Sequence, residues 1–130
     1  MIDTQKVLER EELPLYVNHA GTVLVAGGSQ VGKVAWYIIH LIKQQVKPIE
    51  LFFIGANAGH QAYKACAVAT LIARDEMGKE LGFITRRART QTEKRDITGK
   101  VEMKDSQPVV QFKDAYLWRI VDLTESEIGS

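Results

Sequence analysis

The apolar and polar positions of the chain fall into a succession of short elements. Residues 22–26 (TVLVA) are a β-branched apolar run set between glycines, the pattern of a buried strand. Gly27 and Gly28 supply a tight turn, and Ser29 stands where a helix N-cap belongs. From there to about Gln45, the residues Val31, Val34, Ala35, Ile38, Leu41 and Ile42 recur at helical spacing on one face. Lys47-Pro48 ends that helix, because proline keeps its predecessor out of the helical region. Residues 49–54 (IELFFI) are nearly continuously apolar, as a strand flanked on both sides is. Gly55 turns the chain, Asn57 is positioned to cap a second helix, and that helix runs to about Met77 with Gly78 past its end. Its stripe of Ala62, Ala65, Cys66, Ala69 and Ala73 allows close packing.

The pattern changes after Gly78. Residues 81–90 read as a strand, 91–107 are polar with a turn at Thr98-Gly99, and 109–112 and 116–121 read as strands. The first strand, helix and strand form a parallel, right-handed unit, and the last strands an antiparallel ribbon. The fold class expected is α/β in the α+β sense: a two-layer sandwich of order β-α-β-α-β-β with an extended C-terminal ribbon. Residues 1–20 are expected to be an N-terminal extension, with a short helix around Val7 and Leu8 before Pro14. Residues 21–123 form the domain and 124–130 an acidic flexible tail.

Composition narrows the class. The chain has 130 residues, 45% of them hydrophobic, which suits one domain with a core of useful size. No apolar stretch is long enough to span a bilayer, and the first residues carry acids instead of an apolar leader. The single cysteine, Cys66, forms no internal disulfide, and a cytoplasmic setting is the simple expectation. Cys66, His19, His40 and His60 lack metal-ligand spacing, so neither a metal nor a cofactor is expected.

The total charge is +1, which alone argues against a polycation. Its distribution reverses that impression. Residues 86–100 hold Arg86, Arg87, Arg89, Lys94, Arg95 and Lys100 against Glu93 and Asp96, a local +4, which leaves −3 on the rest. Arginine makes forked contacts with phosphates and stacks on bases. A basic run is commonly no more than a solvated face, but its segregation on a two-stranded ribbon favours binding.

Residues 27–34 (GGSQVGKV) come close to a phosphate-binding loop, but Val34 stands where the metal-holding hydroxyl belongs. Glycines of an ordinary strand-to-helix turn explain the run equally, and Lys33 with exposed N–H groups still suits a phosphate. In a parallel βαβ unit both helix N-termini, near Ser29 and Asn57, sit at one end of the sheet and together favour an anion. Nucleophile–base pairs are lacking: His60 has no neighbouring nucleophile, and Cys66 sits in a core stripe. Catalysis is therefore not expected. Trp36, Tyr37 and Ile39 lie off the main apolar face of the first helix, as lone surface residues or as a self-association patch. Tyr116 and Trp118 read as sheet residues more than as a stacking platform.

The segment IGANAGHQAYKACAVA, from Ile54 to Ala69, resembles the central signature of the stage V sporulation protein S family of the Alba-like group. The shared features are Gly55-Ala56, Ala58, Gln61-Ala62, Lys64-Ala65, Ala67 and Ala69, and the similarity covers roughly residues 22–85. The resemblance implies a domain like the C-terminal domain of bacterial translation initiation factor three, a dimer or higher homo-oligomer, and binding of DNA or RNA. It implies contacts from Ser29 and Lys33, from Asn57 and His60, and from the ribbon of Arg86, Arg87, Arg89, Lys94, Arg95 and Lys100. The first turn lacks the lysines of Alba proteins, and the ribbon is longer than in sporulation S proteins. Two other functions compete: an oligomeric scaffold or protein-interaction module, and a nucleotide binder using the loop from Gly27 to Lys33.

Overall fold

The computed structural model describes residues 12–124. The expected N-terminal helix and the acidic tail therefore lie mostly outside the described residues, and Glu12 and Leu13 are not helical. β1 (Thr22–Val25) and β2 (Ile49–Phe53) pair in parallel, Thr22 opposite Glu50 and Val25 opposite Phe53. A parallel pair needs a long crossover, and α1 (Val31–Lys43) supplies it. α2 (Ala56–Ile72) follows β2 and runs on through a wider turn, Ala73–Met77, to Gly78 in the left-handed conformation. β3 (Leu81–Glu93) and β6 (Val110–Asp122) are antiparallel over their whole length. β6 is continuous where the sequence pattern suggests two strands. The sheet order is β1-β2-β6-β3, mostly antiparallel, with both helices on one face: a mixed α/β fold of the α+β class.

The core lies between helices and sheet. Leu51, Ile38, Ala62, Ala65 and Ala69 are fully buried there. Ile39 is also fully buried, which corrects its assignment to an exposed patch. The buried side of α1 is wider than a simple stripe because it meets both the sheet and α2, and Ile39 stands one turn beyond the buried Ala35. Trp36 and Tyr37 remain exposed, at 50% and 44%. Gly21 is required by close approach: an added Cβ would stand 1.9 Å from the Pro48 carbonyl oxygen.

The face of the sheet away from the helices is crossed by residues 14–19. Arg89 N–H donates to the Pro14 carbonyl (3.0 Å), and Tyr16 N–H donates to the Arg89 carbonyl (2.8 Å). The Tyr16 ring then stacks on Phe52 of β2 with 3.9 Å between centroids. This strap ends at His19, whose Nδ1 accepts from Gly21 N–H (3.1 Å), so its Nε2 carries the proton and donates to Glu50 at 2.8 Å. Arg119 also reaches Glu50, at 3.3 Å. A glutamate inside an apolar strand is costly unless paired, and these two partners account for it.

β2 pairs β6 only as far as Phe53 opposite Tyr116. Beyond that point β2 drops out and β3 and β6 continue as a two-stranded arm, flanked at Arg89 by Pro14 and Tyr16, from Ala88 opposite Ala115 to Glu93 opposite Val110, a reach of about 20 Å. At its end three backbone bonds close a ring: Lys94 N–H to Val109 oxygen, Val109 N–H to Glu102 oxygen, and Glu102 N–H to Lys94 oxygen. Two small turns hang from that ring. One bridges Arg95 and Val101 and carries Gly99 at φ 84°, so the expected Thr98-Gly99 turn forms. The other is the pair β4 (Met103–Lys104) and β5 (Gln107–Pro108).

Candidate nucleic-acid interface

Because β1 and β2 are parallel, the turns leading into both helices lie at one sheet end. They touch: an added Cβ on Gly27 would be 3.1 Å from Asn57 Cβ. Gln61 Nε2 also donates to the Ser29 carbonyl at 2.6 Å. The caps differ from expectation. Gln30 and Gly55 are the cap residues, and neither helix has a side-chain cap bond. The Ser29 hydroxyl instead accepts from Ala26 N–H (2.8 Å), closing the preceding turn, and Asn57 lies within the first turn of α2.

The arm leaves from this same sheet end. Where it rises beside α2 there is an open groove of about 960 Å³, walled by Phe53, Gly55, Gly59, Arg87, Tyr116 and Trp118 and closed on one side by Glu12 and Pro14. Gly59 lets the Phe53 ring lie close against the wall, since a Cβ there would stand 3.1 Å from the ring. Of the sequence-derived candidates, Arg86 and Arg87 border the groove. Arg89 lies two residues farther along β3, on the arm proper. Ser29, Lys33, Asn57 and His60 form the crest across the helix starts and do not line the groove.

The charges sort by position along the arm. Residues 86–115 carry eight basic and five acidic side chains. At the tip the two signs balance: Lys94, Arg95, Lys100 and Lys104 stand among Glu93, Asp96, Glu102 and Asp105. Lys94 approaches Glu102 (3.5 Å) and Arg95 approaches Glu93 (3.9 Å). Asp96 accepts from Thr98 and from Lys100 N–H, and these bonds hold its carboxyl below the usual range. The surplus lies at the root, on Arg86, Arg87, Arg89 and Lys113 against Asp114. Arg87 bonds Asp114 at 3.1 Å. Arg89 stacks over the Phe112 ring at 4.8 Å, and among the described residues neither it nor Arg86 nor Lys113 makes an ion pair. The surplus charge is thus concentrated at the root, with Arg87 and Arg89 on the ribbon face toward α2 and Arg86 and Lys113 on the other, and Lys94 and Arg95 are partly neutralised.

Among the described residues, no group of three or more His, Cys, Asp or Glu is placed to hold a metal. Burial pushes the Cys66 thiol up to about 12, so it is not a thiolate nucleophile. The Ser29 N–H donates to Ala26 oxygen (3.1 Å) and so is not offered to a phosphate, which weakens the nucleotide-loop arrangement. No described helix is long and apolar enough to cross a membrane. Sequence reasoning missed Lys113 and Phe112, which lie outside the basic run: strand pairing brings Phe112 to Arg89 and sets Lys113 opposite Thr90, on the ribbon face that Arg86 also occupies. It also missed the His19–Glu50 pair, for which the one charge within IELFFI was the available signal. No family model matches the chain, and no curated protein matches it.

Proposed function

We propose that the protein is a non-enzymatic nucleic-acid-binding protein of the Alba-like, stage V sporulation protein S type. It holds phosphates at the root of its β-arm and at the two helix N-termini. The observation that carries this reading is the convergence at one sheet end of Arg89, which makes no ion pair among the described residues, with the start of a 17-residue helix, while Arg86 and Lys113 add charge on the other face of the ribbon. Helix starts favour anions through their dipole and unbonded N–H groups, and the arginines add forked donors. The element order, with an arm built from the last two long strands, supports the Alba-like assignment. The protein acts in the cytoplasm, without a cofactor, as a homodimer or higher oligomer that uses Trp36 and Tyr37.

The test is a gel shift on DNA and on RNA with wild type and with Arg86, Arg87 and Arg89 all changed to alanine, each checked by thermal melting. The variant binds more weakly to every sequence. Unchanged binding by a folded variant overturns this placement. A salt-resistant oligomer with no nucleic-acid affinity supports the scaffold reading, to which the exposed Trp36 and Tyr37 lend weight.

A further inference from the structure

We propose that the interface takes single-stranded nucleic acid, stacking one base on Phe112 and another on Tyr116. The proposal rests on the nucleic-acid reading above and names its ligand class. Strand alternation puts Phe112, Asp114, Tyr116 and Trp118 on one face of β6, the face that also looks toward α2. Trp118 and Tyr116 pack on Phe53 with centroids 5.1 and 5.7 Å away, Trp118 edge-on and Tyr116 stacked. Tyr116 nonetheless keeps 40% of its surface exposed. Phe112 is 54% exposed and stands out on the arm, beyond the last residue of β2 and beyond any helix. Core packing does not explain it. The Arg89 guanidinium lies over its ring, at 4.8 Å from the centroid.

Exposed rings beside arginines on a β-surface are the physical basis of single-strand binding, because every base has a π-face and stacking tolerates any sequence. In a duplex those faces are hidden between neighbouring pairs. The two rings are four residues apart on one strand, about 13 Å along it. Stacked bases in a duplex strand rise about 3.4 Å per step, so each ring takes its own base from an unstacked strand. Gln91, directly opposite Phe112, adds an amide able to bond a base edge. The sugar–phosphate chain then runs from Arg89 toward the groove and the N–H groups at the start of α2.

The experiment is fluorescence anisotropy at one fixed salt concentration. The probes are a labelled 12-mer of deoxythymidine, a 12-mer of uridine, and a 12-base-pair DNA duplex. Wild type is expected to bind at least one single strand ten-fold or more tighter than the duplex, and the ratio of the two strands names the preferred sugar. Phe112→Ala is expected to weaken the single strand by roughly five- to 150-fold and leave the duplex unchanged. Phe112→Trp restores the binding. Because Phe112 is not part of the core, its variants fold, and an unchanged melting curve verifies this. Duplex binding equal to or tighter than single-strand binding overturns the proposal and leaves the nucleic-acid function standing, as the ribbon would then be seated in a major groove. Single-strand binding that is indifferent to Phe112→Ala also overturns it. Failure to bind all three probes overturns both readings.

Discussion

If the basic surface lies at the root of the arm, neutralising root and tip must have unequal effects. Consider two triple variants: Arg86, Arg89 and Lys113 to alanine at the root, and Lys94, Arg95 and Lys100 to alanine at the tip. Both remove three positive charges, so overall charge is matched. Among the described residues these root cations make no ion pair, whereas Lys94 and Arg95 stand 3.5 and 3.9 Å from Glu102 and Glu93. Each phosphate contact to a single strand contributes about 0.7 to the slope of log affinity against log salt. Loss of three contacts, Arg89 on one face of the root and Arg86 and Lys113 on the other, therefore flattens the slope by about 2. Over a fourfold change in salt, that alters the salt-induced loss of affinity by about twenty-fold. Of the three tip cations changed, Lys100 alone makes no ion pair among the described residues, so the flattening is about 0.7 at most. Anisotropy titrations of one labelled oligonucleotide at several salt concentrations read both slopes. Equal flattening by the two variants, or more by the tip variant, refutes the root assignment.

Three further outcomes test the scaffold that positions the arm. Tyr16 keeps its hydroxyl buried with no hydrogen-bond partner among the described residues while its ring stacks on Phe52, so Tyr16→Phe should hold or raise stability by up to about 1 kcal/mol and Tyr16→Ala should lose about 2 kcal/mol. Denaturant unfolding checks this, and a loss on Tyr16→Phe contradicts it. Gly21→Ala should cost about 3 kcal/mol, near 10 °C in melting temperature, because its Cβ would meet the Pro48 carbonyl beside the bond from Glu50 N–H to the Gly21 oxygen. A melting temperature within 2 °C or so of wild type would show that the loop simply yields. Burial alone would raise the Asp122 carboxyl, but hydrogen bonds from Lys79 at 2.8 Å and from Thr124 hold it down to about 2. A carboxyl held below its unfolded value stabilises above pH 4 or so, and that contribution, about 2 kcal/mol, disappears as pH falls toward 2. Asp122→Asn should be weaker at neutral pH and lose less than wild type over that acid range, which a chemical denaturation series at each pH measures.

Much of the framework was readable from spacing. The runs TVLVA and IELFFI became β1 and β2, the crossover helix made them parallel, and Gly78 and Thr98-Gly99 marked turns that form. Local pattern was less able to place single residues. Ser29 and Asn57 have the chemistry of caps, but the chain enters each helix one residue away from Ser29 and two before Asn57, at Gln30 and Gly55. Ile39 sits at the margin of the helical stripe and is buried because two elements, not one, pack against α1. The strap escaped notice because its contacts are all long-range, Pro14 and Tyr16 to Arg89 and His19 to Glu50. The candidate interface follows the same division. A linear charge count finds Arg86, Arg87 and Arg89, but only the strand register sets Phe112 beside Arg89, places Arg86 and Lys113 on the opposite face, and shows the tip cations facing acids.

The most direct measurement of the central claim is the ultraviolet absorbance ratio of the protein purified at low salt, repeated after a high-salt wash. Nucleic acid retained at low salt and released by the wash, with the wash-cleaned protein rebinding an added oligonucleotide, is the predicted result. A protein free of nucleic acid at low salt that also fails to bind the added oligonucleotide would contradict the account.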